Sequence, residues 1–142
     1  MGGGGGGGYS PPINLDKLTE KANQRIQGAF QGRQLVVFVC DHIDERELQQ
    51  RIASSIFRER EYIVATQPDL VRDECPRAGL IVCFVSKSEE HGLIDEAIRV
   101  ASEMKKQIIF VHASDQYSMP NYVLQFRVRN VSWAQFLEIF IG

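Results

Sequence analysis

The chain has 142 residues, 44% of them hydrophobic and 24% charged, which suits one soluble globular domain with a real core. A formal net charge of −2, with Lys and Arg scattered along the chain, excludes nucleic-acid binding driven by phosphate neutralisation. No apolar run approaches the ~20 residues that span a bilayer, and no basic-then-apolar leader opens the chain, so neither membrane insertion nor a signal peptide is expected.

Gly2 to Gly8 form an unbroken glycine run, followed by Tyr9-Ser10-Pro11-Pro12. Such a segment is costly to order and has nothing to bury, so residues 1–12 are expected to be a disordered tail or a cloning scar. Position 6 is Gly where a myristoylation motif wants Ser or Thr. Residues 13–142 are expected to be a single domain.

Leu15, Leu18, Ala22, Ile26 and Ala29 follow helical spacing, with Asn14 as a plausible N-cap and Asp16 in the first turn. After Gly32 the first strand runs Gln34 to Cys40, and Asp41 or Asp44 caps a helix whose core face is Leu48, Ile52 and Ile56, with Ala53 and Phe57 beside it. Tyr62 to Thr66 reads as strand two, and Asp69 to Arg77 as too short and broken for a helix. Leu80 to Val85 and Ile108 to Val111 are apolar runs, the second within a strand Gln107 to His112, joined by a helix from near Leu93 to Met104. That is one βαβ unit with strands buried on both faces. Val123 to Val128 reads as a fifth strand, and Ser132 caps a last helix with Trp133, Phe136, Leu137 and Phe140 at i, i+3, i+4 and i+7. Crossover connections imply a three-layer α-β-α sandwich around a mostly parallel sheet of about five strands, plus the extra N-terminal helix. Val36, Phe38, Ile63, Ile81, Cys83, Ile109 and Val111 are its expected core.

Several chemistries fail on spacing. Cys40-Asp41-His42-Ile43-Asp44-Glu45-Arg46 has no glycine where a dinucleotide fold needs G-x-G-x-x-G, and no Walker A motif exists. A phosphoacceptor receiver would carry Asp where Val85-Ser86-Lys87 stands. Cys40, Cys75 and Cys83 are an odd number without a C-x-x-C pair, so they read as small buried hydrophobes in a reducing compartment. For His42, His91 and His112 to bind a metal, three loops would have to converge, and no metal site is expected.

Glu96 is the point of chemical interest. It sits early on a helix that follows a buried strand, at the end of an open α/β sheet where ligands bind. There it would be either an acid stabilised by the helix N-terminus or a group that accepts ribose hydroxyls and stabilises an oxocarbenium-like centre.

Three segments resemble the Toll/interleukin-1 receptor (TIR) superfamily and its structural relatives, the nucleoside 2-deoxyribosyltransferases. Leu35 to Asp44 resembles the first TIR box, and Ile81 to Ser86 the strand that ends in serine. Glu96 to Ala101, running to Lys106-Gln107-Ile108-Ile109-Phe110-Val111, resembles the glutamate-bearing helix and next strand. The likeness spans about residues 34–141 and implies a flavodoxin/TIR-like fold. It also implies that Glu96 corresponds to the glutamate that cleaves NAD⁺ in enzymatic TIR domains. Gly92 to Glu96 has the spacing of the deoxyribosyltransferase nucleophile. Arg72-Asp73-Glu74-Cys75-Pro76 is similar to the second box, but strand three follows almost at once, no Trp precedes Glu96 on its helix, and the first loop lacks the Tyr or Gly of a nucleoside site.

Two function classes follow. The favoured one is a TIR-like signalling or assembly module that binds other proteins or copies of itself, without cofactor, in the cytoplasm or nucleus. The alternative is an N-glycoside-cleaving enzyme with NAD⁺ or a nucleotide as substrate, Glu96 as catalytic residue, and Asp41, Asp44 or Ser86 orienting the ribose. A sheet edge that is filled, with Glu96 paired to Arg or Lys, favours the module. An open pocket with Glu96 facing into it favours the enzyme.

Overall fold

The computed structural model describes residues 34–88, 92–113 and 129–141, together with residues 20, 21, 24 and 28. Strands β1 (Val36–Val39), β2 (Tyr62–Ala65), β3 (Leu80–Val85), β4 (Gln107–His112) and β5 (Arg129–Ser132) form one sheet in the order β2-β1-β3-β4-β5. All four pairings are parallel, with Val36 opposite Tyr62 and Leu80, Leu80 opposite Gln107, and Ile109 opposite Arg129. Helices α1 (His42–Ala53), α2 (Pro68–Glu74), α3 (Gly92–Met104) and α4 (Trp133–Ile141) accompany it, with 3₁₀ turns at Ile56–Glu59 and Cys75–Arg77. This is the α/β sandwich expected from the alternation of apolar runs and helical segments.

Side chains alternate across the pleat and build one core on each face. Val37, Val39, Ile81, Cys83, Val85 and Phe110 pack with Val71 and Cys75 from the α2 segment and Ile94, Ala97, Ile98 and Ala101 of α3. Val36, Phe38, Leu80, Val82, Phe84, Ile109 and Val111 face Leu48 and Ile52 of α1, Phe57, and Phe136 and Ile139 of α4. The helices therefore divide, α2 and α3 on one face, α1 and α4 on the other. Six of the seven expected core residues are buried, but Ile63 is half-buried, because among the described residues β2 is an edge strand with a neighbour on one side only.

Two local expectations fail for physical reasons. The α1 core face was expected to run through Ile56. The α-helix instead ends at Ala53 and a 3₁₀ turn begins at Ile56, so the helical phase breaks, Phe57 turns inward, and Ile56 is exposed. The stretch from Asp69, expected to be irregular, is helical from Pro68 to Glu74. Pro68 presets the first helical φ, and Val71 and Cys75, four residues apart, supply one buried stripe.

The ends of the last two helices are also determined locally. At α3 the chain turns through Lys105 at φ 54°, and the Lys106 N–H returns to the Ala101 carbonyl at 2.9 Å, a Schellman closure that aims the backbone into β4. At α4 the Gln135 N–H donates to Ser132 Oγ at 3.2 Å while the Ser132 N–H donates to Gln135 Oε1 at 2.9 Å, a capping box. Trp133 and Phe136 are buried as expected, Leu137 is half-buried, and Ile139 joins the core. The side chain of Phe140, the expected strand at 123–128, and the tail at 1–12 lie outside the described residues. Of the expected N-terminal helix, Glu20, Lys21, Gln24 and Gly28 are described, all helical and exposed. Among the described residues no helix is long and apolar enough to cross a membrane.

Candidate functional site at the β1/β3 switch point

The strand order reverses its direction of growth between β1 and β3. The helix after β1 packs on one face and the helix after β3 on the other, which opens a crevice beyond the carboxyl ends of these two strands. In open α/β sheets this is where ligands enter. Parallel register, with Val39 beside Cys83, places the Asp41 turn next to the Ser86 turn.

Asp41 begins α1. Its carboxylate accepts the Ile43 N–H at 3.0 Å as the N-cap, and the same oxygen lies 3.2 Å from His42 Nδ1. Asp44 is three residues further on in the first turn, only 1% exposed, and it does not cap its own helix. Instead its carboxylate reaches across the crevice to the turn after β3. Oδ1 accepts the Lys87 N–H at 2.8 Å, and Oδ2 accepts the Ser86 and Ser88 N–H groups at 3.1 and 3.2 Å. A buried carboxylate is tolerated only when its charge is met by hydrogen bonds, and three backbone donors meet it here. Ser86 also donates its hydroxyl to Glu47 Oε1 at 2.8 Å.

Glu47 continues the network. Its other oxygen accepts from Arg51 Nε at 3.0 Å, and the Arg51 guanidinium lies 5.8 Å from the Trp133 ring centre and 5.9 Å from that of Phe84. The Glu47–Arg51 pair is legible in sequence as an i, i+4 pair on one helix. Its links to Ser86, Phe84 and Trp133 are not, since they join segments far apart in the chain.

Of the residues singled out from sequence, Asp44 and Ser86 are in contact and Asp41 is on the same turn. Glu96 is elsewhere. It is the fifth residue of α3, on the face shared with α2, and its partners among the described residues are arginines. Arg99 donates to both its oxygens at 2.5 and 3.3 Å, and Arg72 of α2 donates at 3.3 Å. The Arg99 guanidinium chiefly lowers the Glu96 carboxyl below its ordinary value; desolvation opposes it, and Arg72 adds to the lowering. Arg72 also pairs with Asp69, and Arg99 with Glu103.

Three grooves run along α1 and the turn that follows it. One of about 420 Å³ is lined by Glu47, Gln50, Arg51, Ser54 and Trp133. Another of about 480 Å³ runs from Ser54 to Glu59 beside Leu137, and a third of about 500 Å³ follows His42, Glu45, Arg46, Gln49, Gln50 and Ala53. Asp44, Ser86 and Glu96 line none of these three. Cys40, Cys75 and Cys83 are free and buried, and among the described residues no group of His, Cys, Asp and Glu could hold a metal ion. Burial, chiefly, pushes the Cys40 and Cys75 thiols up to about 12 and the Cys83 thiol higher still, so none is a thiolate nucleophile at neutral pH.

No protein-family model matches the chain, and no curated protein matches it in sequence. Among solved structures, a de novo designed Rossmann 2x3 fold protein determined by solution NMR is similar, with 13% identity over 68% of this chain and 75% of its own, at a TM-score of 0.48. A response regulator from Colwellia psychrerythraea is similar with 15% identity over 68% of this chain and 80% of its own, at a TM-score of 0.43. The fold assignment rests on the strand order and the parallel register themselves.

Proposed function

We propose that the domain is a TIR-like signalling or assembly module that works through contacts with other proteins or with copies of itself. The observation that carries this reading is the filled switch point. Where an α/β enzyme would admit a ligand phosphate or ribose, Asp44 occupies the backbone donors of Ser86, Lys87 and Ser88. The state of Glu96 supports it as well. A carboxylate shared between two guanidiniums is poorly disposed to meet a developing oxocarbenium charge, which is what cleavage of NAD⁺ or a nucleoside would ask of it. The proposal includes a reducing compartment, cytoplasm or nucleus, which three free buried thiols suit.

A ligand-induced stability test separates the two readings. A ligand that binds only the folded state raises stability by about 4 kcal/mol when present at 1,000 times its Kd. Millimolar NAD⁺, nucleosides or nucleotides are expected to leave the melting temperature of the domain unchanged. A saturable rise with any of them would show that the sheet edge opens to a substrate, and would overturn the module reading in favour of N-glycoside chemistry.

A further inference from the structure

We infer that the turn Ser86-Lys87-Ser88 is a receptor for a small carboxylate anion, which the chain keeps closed by inserting its own Asp44. Three consecutive backbone N–H groups converge on one carboxylate, at 3.1, 2.8 and 3.2 Å, and both of its oxygens are engaged. Consecutive amides turned to a common centre form an anion-binding concavity. The side chain that fills it arrives from a different element, more than forty residues away in the chain.

Neighbouring groups narrow the ligand class. Asp44 is 1% exposed, so the space its carboxylate occupies is closed and has the size of the carboxylate itself. Ser86 presents its hydroxyl to Glu47 and its backbone N–H to Asp44. A planar monoanion with two oxygens, formate above all, reproduces this demand. A tetrahedral phosphate is larger and would require the first turn of α1 to move away.

Chemical rescue tests the inference, with formate and inorganic phosphate as probes. Asp44→Ala removes the carboxylate and leaves a formate-sized space. Asp44→Asn fills the space but turns an amide NH₂ toward an N–H donor. Both variants are expected to melt roughly 10 °C or more below the wild type, since hydrogen bonds to a buried charge are among the costlier to lose. Sodium formate is expected to restore at least half of the loss in Asp44→Ala, saturably, and to do nothing comparable for Asp44→Asn or the wild type. Phosphate is expected to act on all three alike, as an excluded salt.

If Asp44→Ala does not fold in plain buffer, refolding from denaturant with and without formate gives the same answer, recovery only with formate. An Asp44→Ala protein as stable as the wild type would overturn the inference. So would one that formate helps no more than it helps Asp44→Asn, or one that phosphate rescues better. The inference does not depend on the assembly reading. NAD⁺ binding bears on that reading and leaves the response to formate untouched.

Discussion

Arg72 of α2 donates to Glu96 of α3 at 3.3 Å, tying together two helices that reach the same face of the sheet by separate crossovers. Arg72 is half exposed although Glu96 is mostly covered, so solvent screens the pair from the Arg72 side and it contributes little. Glu96→Gln is expected to cost a few tenths to about 1 kcal/mol at pH 7 in chemical denaturation. Because folding lowers the carboxyl below its ordinary value of 4.5, this contribution is fully present above that value. It fades as pH falls through the lower folded value. The stability gap between wild type and Glu96→Gln should therefore be constant from neutral pH down to about 5 and close in more acidic buffer. A gap that widens on acidification would show that the arginines do not hold the carboxylate.

Much of this arrangement was legible in the sequence, and the gaps have physical causes. β3 begins and ends where its apolar run does, and β4 extends its run by one residue at each end, because strands covered on both faces leave little room for polar residues. The short helix at Pro68–Glu74 was hidden because a seven-residue segment has too few turns to show a period. Asp41 and Asp44 were equivalent as caps on paper. Their difference, one at the helix end and one buried against the next turn, depends on a pairing forty-two to forty-four residues away. For Glu96 the i, i+3 partner Arg99 was within reach of sequence reading, but the Arg72 link was not, since Arg72 lies twenty-four residues before it.

The three thiols make an independent prediction. Cys40 and Cys75 are held protonated up to about 12 and Cys83 beyond, chiefly by burial. An aromatic disulfide reagent is expected to leave all three unmodified in the native protein at pH 8 and to titrate all three in denaturant. Folded values raised above the ordinary 9.0 stabilise the fold fully below pH 9, a contribution lost as pH rises toward 12. Stability should fall from pH 9 upward, and replacing Cys40 and Cys75 by Ala should flatten that fall. Fast labelling of the native protein would contradict the burial.

Phe136 anchors α4. Its ring stacks on Phe57 at 5.3 Å and 4°, and both are fully buried, with Phe57 meeting Phe38 edge-on at 5.6 Å. Removing such a ring deletes its transfer energy and leaves a cavity, so Phe136→Ala is expected to cost about 3–5 kcal/mol. Equilibrium urea unfolding checks this. A loss below about 1 kcal/mol would mean that α4 does not pack on the sheet in solution.

The most direct measurement of the central claim is base release from NAD⁺ by the wild type and Glu96→Gln side by side, followed by chromatography of free nicotinamide. An assembly module with a filled switch point and an arginine-paired Glu96 is expected to release no nicotinamide above a heat-denatured control, and the two proteins should be indistinguishable. Release by the wild type that falls by orders of magnitude in a folded Glu96→Gln protein would contradict it, because such a loss is the signature of a group stabilising charge in the transition state.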